Sequence, residues 1–139
     1  MTERRNPAST GESLTLPSDA EFDGVYPERI RKLSKLHWTP VAVAARAATI
    51  LVEAGASRIL DVGWGVGKFC IVGAMATTAR FVGVERRNHL VDIAAGAATK
   101  LGVSRVTFVH SSVDQVRFEG FDGVYLYNPF FEQISRYLP

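Results

Sequence analysis

The stretch that most constrains this chain is Arg58-Ile59-Leu60-Asp61-Val62-Gly63-Trp64-Gly65-Val66-Gly67-Lys68-Phe69. An apolar run meets a glycine-rich turn, and a helical pattern follows. That order predicts a strand, a tight loop and a helix start. Glycine has no Cβ and tolerates positive φ, so such a loop lets a ligand lie against the backbone. The helix behind it presents N–H groups that no helical carbonyl satisfies.

The rest of the chain repeats the alternation. Residues 59–62 read as the first strand and residues 66–77 as the helix after it. In that helix Phe69, Val72 and Met75 are available to pack inward, and Cys70 reads as a buried small hydrophobe. Lys68 reads as a solvent-facing residue. Residues 80–85 form a second strand that ends on Glu85, and residues 89–101 a helix stopped by Gly102. Residues 103–109 hold a third strand, with a loop at 110–114. Residues 121–127 form a fourth, continuous enough in apolar character to be buried on both faces. Strands joined by helices through short connections predict right-handed crossovers and a parallel sheet. The expected architecture is a Rossmann-like three-layer αβα fold with strand order 3-2-1-4. Ligands in such sheets bind beyond the strand C-termini, where the order reverses. The glycine turn, Glu85, the 111–114 loop and Asn128 all fall on that rim.

Ahead of this unit, residues 1–24 are rich in polar residues and read as a flexible tail. Residues 25–57 read as N-terminal helices. Pro27 opens a short one with Ile30, Leu33 and Leu36 on one face and Arg29, Arg31, Lys32 and Lys35 on the other. That basic face reads as solvated, or as a contact surface for an acidic or nucleic-acid substrate. His37 reads as a packing or surface residue and Trp38 as a packing anchor, with a place near the mouth of the ligand site open to both. Thr39 is placed to cap the next helix, with Pro40 in its first turn. That alanine-rich helix covers residues 41–54 and ends at Gly55.

At 139 residues the chain suffices for one domain. A net charge of +2 is too small to imply nucleic acid or membrane by itself. The single cysteine excludes an internal disulfide and a cysteine-based zinc site. No apolar run approaches the ~20 residues of a membrane span, and the cytoplasm is the expected compartment.

The spacing of the glycines separates two kinds of nucleotide site. In Asp61-Val62-Gly63-Trp64-Gly65-Val66-Gly67 one residue parts the last two glycines, whereas the dinucleotide fingerprint has two. With an acid two residues before the first glycine, the pattern resembles motif I of class I S-adenosylmethionine-dependent methyltransferases. The resemblance implies S-adenosyl-L-methionine as cofactor. Asp61 would help to hold its positive amino-acid end, and Gly63, Gly65 and Gly67 would let its methionyl and ribose parts approach the backbone. Glu85, ~20 residues on, would take the ribose hydroxyls, a role that fits NAD equally well. Ser112 and Val113 occupy the adenine-binding position of the family. There Ser112 would meet the adenine amino group, and the Val113 N–H a ring nitrogen. Asn128-Pro129-Phe130-Phe131 looks like motif IV in its amine-directed form. Asn128 and Pro129 would accept the N–H groups of a planar amine, and Phe130 or Phe131 would stack on it. Positioning is most of such catalysis, and the resemblance calls for no metal.

Two departures from the family carry expectations of their own. The family sheet continues through further strands, which this chain lacks, so the expectation is a truncated sheet. Its fourth strand would be an apolar edge, covered by a partner or by self-association. Trp64 stands where the family has a small residue, so it either collides with the methionyl group or swings clear. Three readings follow: a methyltransferase acting on a nitrogen of a protein, nucleobase or small amine; a truncated or inactive relative with weak or no cofactor binding; and an NAD- or nucleotide-binding half-domain.

Overall fold

The fold is taken from a computed structural model of the chain, which describes residues 15–32, 38–62 and 65–126. Strands β1 (Arg58–Val62), β2 (Arg80–Glu85), β3 (Val106–His110) and β4 (Gly123–Leu126) pair in parallel in the order β3-β2-β1-β4. Five helices accompany them among the described residues: α1 (Asp19–Asp23), α2 (Glu28–Arg31), α3 (Val41–Glu53), α4 (Lys68–Ala76) and α5 (Asn88–Lys100). This is the expected order and class.

Alternation along the strands sorts the layers. Ile59 and Asp61 of β1 lie level with Phe81 and Gly83 of β2. This face meets the helices, in one cluster containing Ile59, Phe81, Ile71, Val72, Ala44, Ala48 and Leu90. Each fully buried Ile or Phe there stabilises the fold by about 1.5–3 kcal/mol. α4 is the central helix, buried from Lys68 through Ala74. Leu60, Val62 and Val84 point the other way and pack with Val82, Val116 and Phe121. The β1-α4-β2-α5-β3 path steps in one direction across the sheet. The β3 to β4 connection steps back, and a right-handed crossover must then run over the opposite face. The segment between β3 and β4, with its 3-10 turn Val113–Gln115, is that covering layer.

Among the described residues the cover stops short of the sheet margin. β4 was expected to be buried on both faces, yet Val124 is 40% and Leu126 60% exposed. Gly123 and Tyr125 pack on the helix side. The physical reason is that Val116 and Phe121 reach Leu60, Val62 and Val84, the middle of the sheet.

The N-terminal region differs most from expectation. The tail assigned to residues 1–24 is ordered in its described part, residues 15–24. Ser18 and Glu21 form a reciprocal capping box that starts α1. Phe22 of α1 is fully buried. Pro27 opens α2 as expected and Ile30 is buried, while Leu33, Lys35, Leu36 and His37 lie outside the described residues. Trp38 is a packing residue, edge-on to Tyr26 at 4.8 Å between ring centroids. Thr39 does not cap α3. The helix starts at Val41, whose N–H donates to Asp19 Oδ1 at 2.8 Å, and the Thr39 hydroxyl instead lies 3.2 Å from the Tyr125 hydroxyl. A carboxylate on α1 has taken over the capping role.

Candidate cofactor site

The C-terminal ends of β1 and β2 and the starts of α4 and α5 form a shallow crevice open to solvent, with a cavity volume of about 20 Å3. Asp61, Gly65, Gly67, Glu85, Leu90 and Phe108 are among its lining residues. Four of the residues picked out by motif thus meet in one place. Gly67 sits in the left-handed conformation, at φ 82°, as the residue that begins α4. A Cβ there would come within 2.5 Å of the Phe108 ring, so the turn needs glycine for its backbone and for its neighbour.

Glu85 is only 8% exposed, and donors surround its carboxylate. Oε2 accepts the Gly65 N–H at 2.8 Å, tying the glycine turn to the end of β2. Oε1 accepts the Arg87 N–H at 3.1 Å and Nε at 2.8 Å, and Arg87 Nη2 reaches Oε2 at 3.3 Å. A carboxylate offers about four lone-pair positions, so these contacts account for all of them.

Asp61 lies between Gly83 and Tyr125 in the register. The Cys70 thiol donates to its Oδ2 at 3.6 Å. Burial pushes the Asp61 carboxyl up from 3.8 to about 7, with the neighbouring Glu85 charge adding to the rise and the Cys70 bond opposing it. Burial, then Asp61, raises the Cys70 thiol well above its ordinary value. Cys70 is buried as expected, and it also touches the site.

Ser112 and Val113 follow β3 on the same rim but are not among the crevice lining. Ser112 bonds to the Asp114 carboxyl, which it holds below the usual range. Gly63, Trp64, Asn128, Pro129, Phe130 and Phe131 lie outside the described residues. Among the described residues no cluster of three His, Cys, Asp or Glu is arranged to hold a metal ion. No helix among them is long and apolar enough to cross a membrane.

Sequence reasoning missed the contacts that hold the turn from behind. Lys68, expected in solvent, is 6% exposed and pairs with Asp19 at 2.8 Å and Asp23 at 3.0 Å. Its ammonium also lies 5.5 Å from the centre of the Phe22 ring and 5.8 Å from that of Trp38. The Tyr26 hydroxyl donates to the Val66 carbonyl at 2.7 Å. The available signals were the Ser18/Glu21 capping pair and the i, i+4 spacing of Asp19 with Asp23 and of Phe22 with Tyr26.

The buried Asp61 carboxyl suits a cation. Burial and the Glu85 charge raise the cost of ionising it. An ammonium or sulfonium beside Asp61 would relieve that cost, and the glycines let a ligand body approach the backbone.

A family model described as a methyltransferase domain matches residues 59–137. The chain belongs to that family, a class I, S-adenosyl-L-methionine-dependent methyltransferase fold. Among solved structures, an RNA methyltransferase from Salinibacter ruber in complex with S-adenosyl-L-homocysteine is 28% identical. It superposes with a TM-score of 0.58, over 70% of this chain and 65% of that one. A putative O-methyltransferase from Klebsiella pneumoniae is 21% identical, TM-score 0.64, over 88% of this chain and 60% of that one, a likeness of fold. The [4+2]-cyclase SpnF is 26% identical, TM-score 0.50, over 66% of this chain and 36% of that one. The chain thus spans less than two thirds of each of these proteins. No curated protein matches the sequence.

Proposed function

We propose that the chain binds S-adenosyl-L-methionine in this crevice and serves methyl transfer to a nitrogen acceptor. The observation that carries the cofactor reading is the buried Glu85 carboxylate, held against the Gly65 N–H beside Asp61. Glu85 would receive the ribose hydroxyls and Asp61 the ammonium end. Gly63, Gly65 and Gly67 would take the ligand body against their backbone. Ser112 and Val113 would meet the adenine edge. The cofactor supplies an electrophilic methyl group on a sulfonium. This chain's part is to orient the acceptor so that its lone pair lies in line with that methyl, with water kept out. Asn128 and the Pro129 carbonyl would hold the acceptor N–H groups, with Phe130 stacked on a flat ring. The acceptor class, whether protein, nucleobase or small amine, rests on the motif IV resemblance.

One observation favours a second reading, a relative that binds the cofactor weakly and transfers nothing. Arg87 and Gly65 already fill the Glu85 acceptor positions that a ribose would need. The likeness to a cyclase is a reminder that fold alone does not set the reaction. Calorimetric titration of S-adenosylhomocysteine into the chain, with Glu85→Ala and Trp64→Ser beside it, separates the readings. Micromolar binding that Glu85→Ala abolishes supports the cofactor site. Binding by Trp64→Ser alone favours the weak relative with a blocked pocket. Tighter binding of NAD than of S-adenosylhomocysteine would replace both readings with a dinucleotide domain.

A further inference from the structure

The contacts behind the glycine turn converge on three consecutive residues. Tyr26 holds the Val66 carbonyl, Gly67 takes the left-handed turn, and Lys68 is clamped by Asp19 and Asp23. A lysine in the first turn of a helix opposes the helix dipole, and burying it costs more. The two carboxylates offset both terms, and the Lys68 ammonium holds the Asp19 carboxyl below its ordinary range. Asp19 does more than neutralise. Its Oδ1 accepts from Lys68 Nζ and from the Val41 N–H, each at 2.8 Å, so one oxygen joins the starts of α3 and α4. Nothing in the core demands a charge at this point. Phe22 and Trp38 flank the ammonium, Tyr26 packs against both rings, and an apolar residue at position 68 would need no carboxylates. What the ion pairs add is direction, because they fix where α4 begins and hence where Gly67 and Gly65 present their backbone.

The geometry points to Lys68 as a positioning residue for the cofactor, acting through its pairs with Asp19 and Asp23 to couple the docking of α1 to occupancy of the crevice. This rests on the cofactor reading above. By linkage the coupling runs both ways: a ligand that needs the turn in this arrangement also secures α1.

The test combines calorimetry with S-adenosylhomocysteine and hydrogen exchange of residues 18–31 in the full chain. Lys68→Met is compared with the unmodified protein, and Asp23→Asn serves as the milder variant. Expected are at least a tenfold loss of affinity in Lys68→Met and a severalfold loss in Asp23→Asn. Saturating ligand should slow exchange at residues 18–31 severalfold in the unmodified chain, and that protection should shrink in both variants. A merely structural lysine would lower the thermal midpoint and leave the ligand-induced protection intact. Unchanged affinity in either folded variant, or exchange at residues 18–31 indifferent to bound ligand, overturns the proposal. If Lys68→Met does not fold, Asp23→Asn and the exchange experiment decide it. Failure of the folded, unmodified chain to bind at all would defeat the cofactor reading itself, and this inference with it.

Discussion

Glu85 Oε2 accepts the Gly65 N–H at 2.8 Å while Arg87 occupies the other side of the same carboxylate. A ribose diol entering here must displace a donor, and the Arg87 side chain is the one that can swing away without unmaking the turn. Arg87→Ala should therefore bind S-adenosylhomocysteine more tightly, by about threefold to tenfold, since a partly exposed charge-assisted pair of about 1 kcal/mol no longer competes. Glu85→Ala should lose binding. Titration calorimetry on the two variants checks both signs, and weaker binding by Arg87→Ala would assign that arginine to the ligand instead.

Asp61 gives a pH dependence. Its carboxyl titrates near 7 in the folded chain and near 3.8 unfolded, so between those values the folded state holds a proton that the unfolded state has lost. Stability contributed by this group therefore falls as pH rises through that window. At ~1.4 kcal/mol per pH unit, Asp61→Asn should be more stable than the unmodified chain at pH 8 by about 1–4 kcal/mol, with the gain vanishing towards pH 4. Affinity should run the other way. An ammonium needs the ionised carboxylate, so binding should strengthen by up to about tenfold per unit below pH 7 and level off above it. Denaturation and titration at pH 5, 6, 7 and 8 test both slopes.

Gly67→Ala should cost about 2–4 kcal/mol, from a left-handed backbone and from overlap with Phe108. Phe108→Leu in the same chain should recover the overlap part and leave the backbone part. Thermal melts of the single and double variants give the cycle.

The apolar margin of β4 predicts self-association. Leu126→Lys should reduce it, because a charge on an exposed strand disfavours edge pairing. Sedimentation velocity over a range of concentrations reads the difference, and identical profiles would remove β4 from the interface.

What could be read from the sequence follows the range of the interactions. β2 appears at its expected bounds, residues 80–85, because an apolar run flanked by arginine and closed by an acid is local information. The glycine turn and Glu85 were expected on one rim, and Gly65, Gly67 and Glu85 do line one crevice, because strand C-termini in a parallel sheet share an edge; the 111–114 loop shares the rim without lining the crevice. Lys68 was misplaced because its partners lie 45 and 49 residues away, on a five-residue helix too short to show periodicity. Thr39 failed as a cap for the same reason: a distant Asp19 outcompeted a local hydroxyl. Arg87, two residues past Glu85, carries no signal in the sequence for its fold back onto that carboxylate, a contact set by the turn after β2.

The Asp19–Lys68 pair has a consequence for biosynthesis. A ribosome releases Phe22, Tyr26 and Trp38 well before Lys68, the residue they gather around. Until α4 has emerged, these aromatics have no native site, and the glycine turn has no anchor. The cell must therefore carry a sticky nascent segment for the time it takes to make about fifty further residues, a few seconds at ordinary elongation rates. Chaperone dependence of the newborn chain should then track the apolar character of residues 22–38, and a synonymous slowing of translation between them and residue 68 should lower the yield of folded protein.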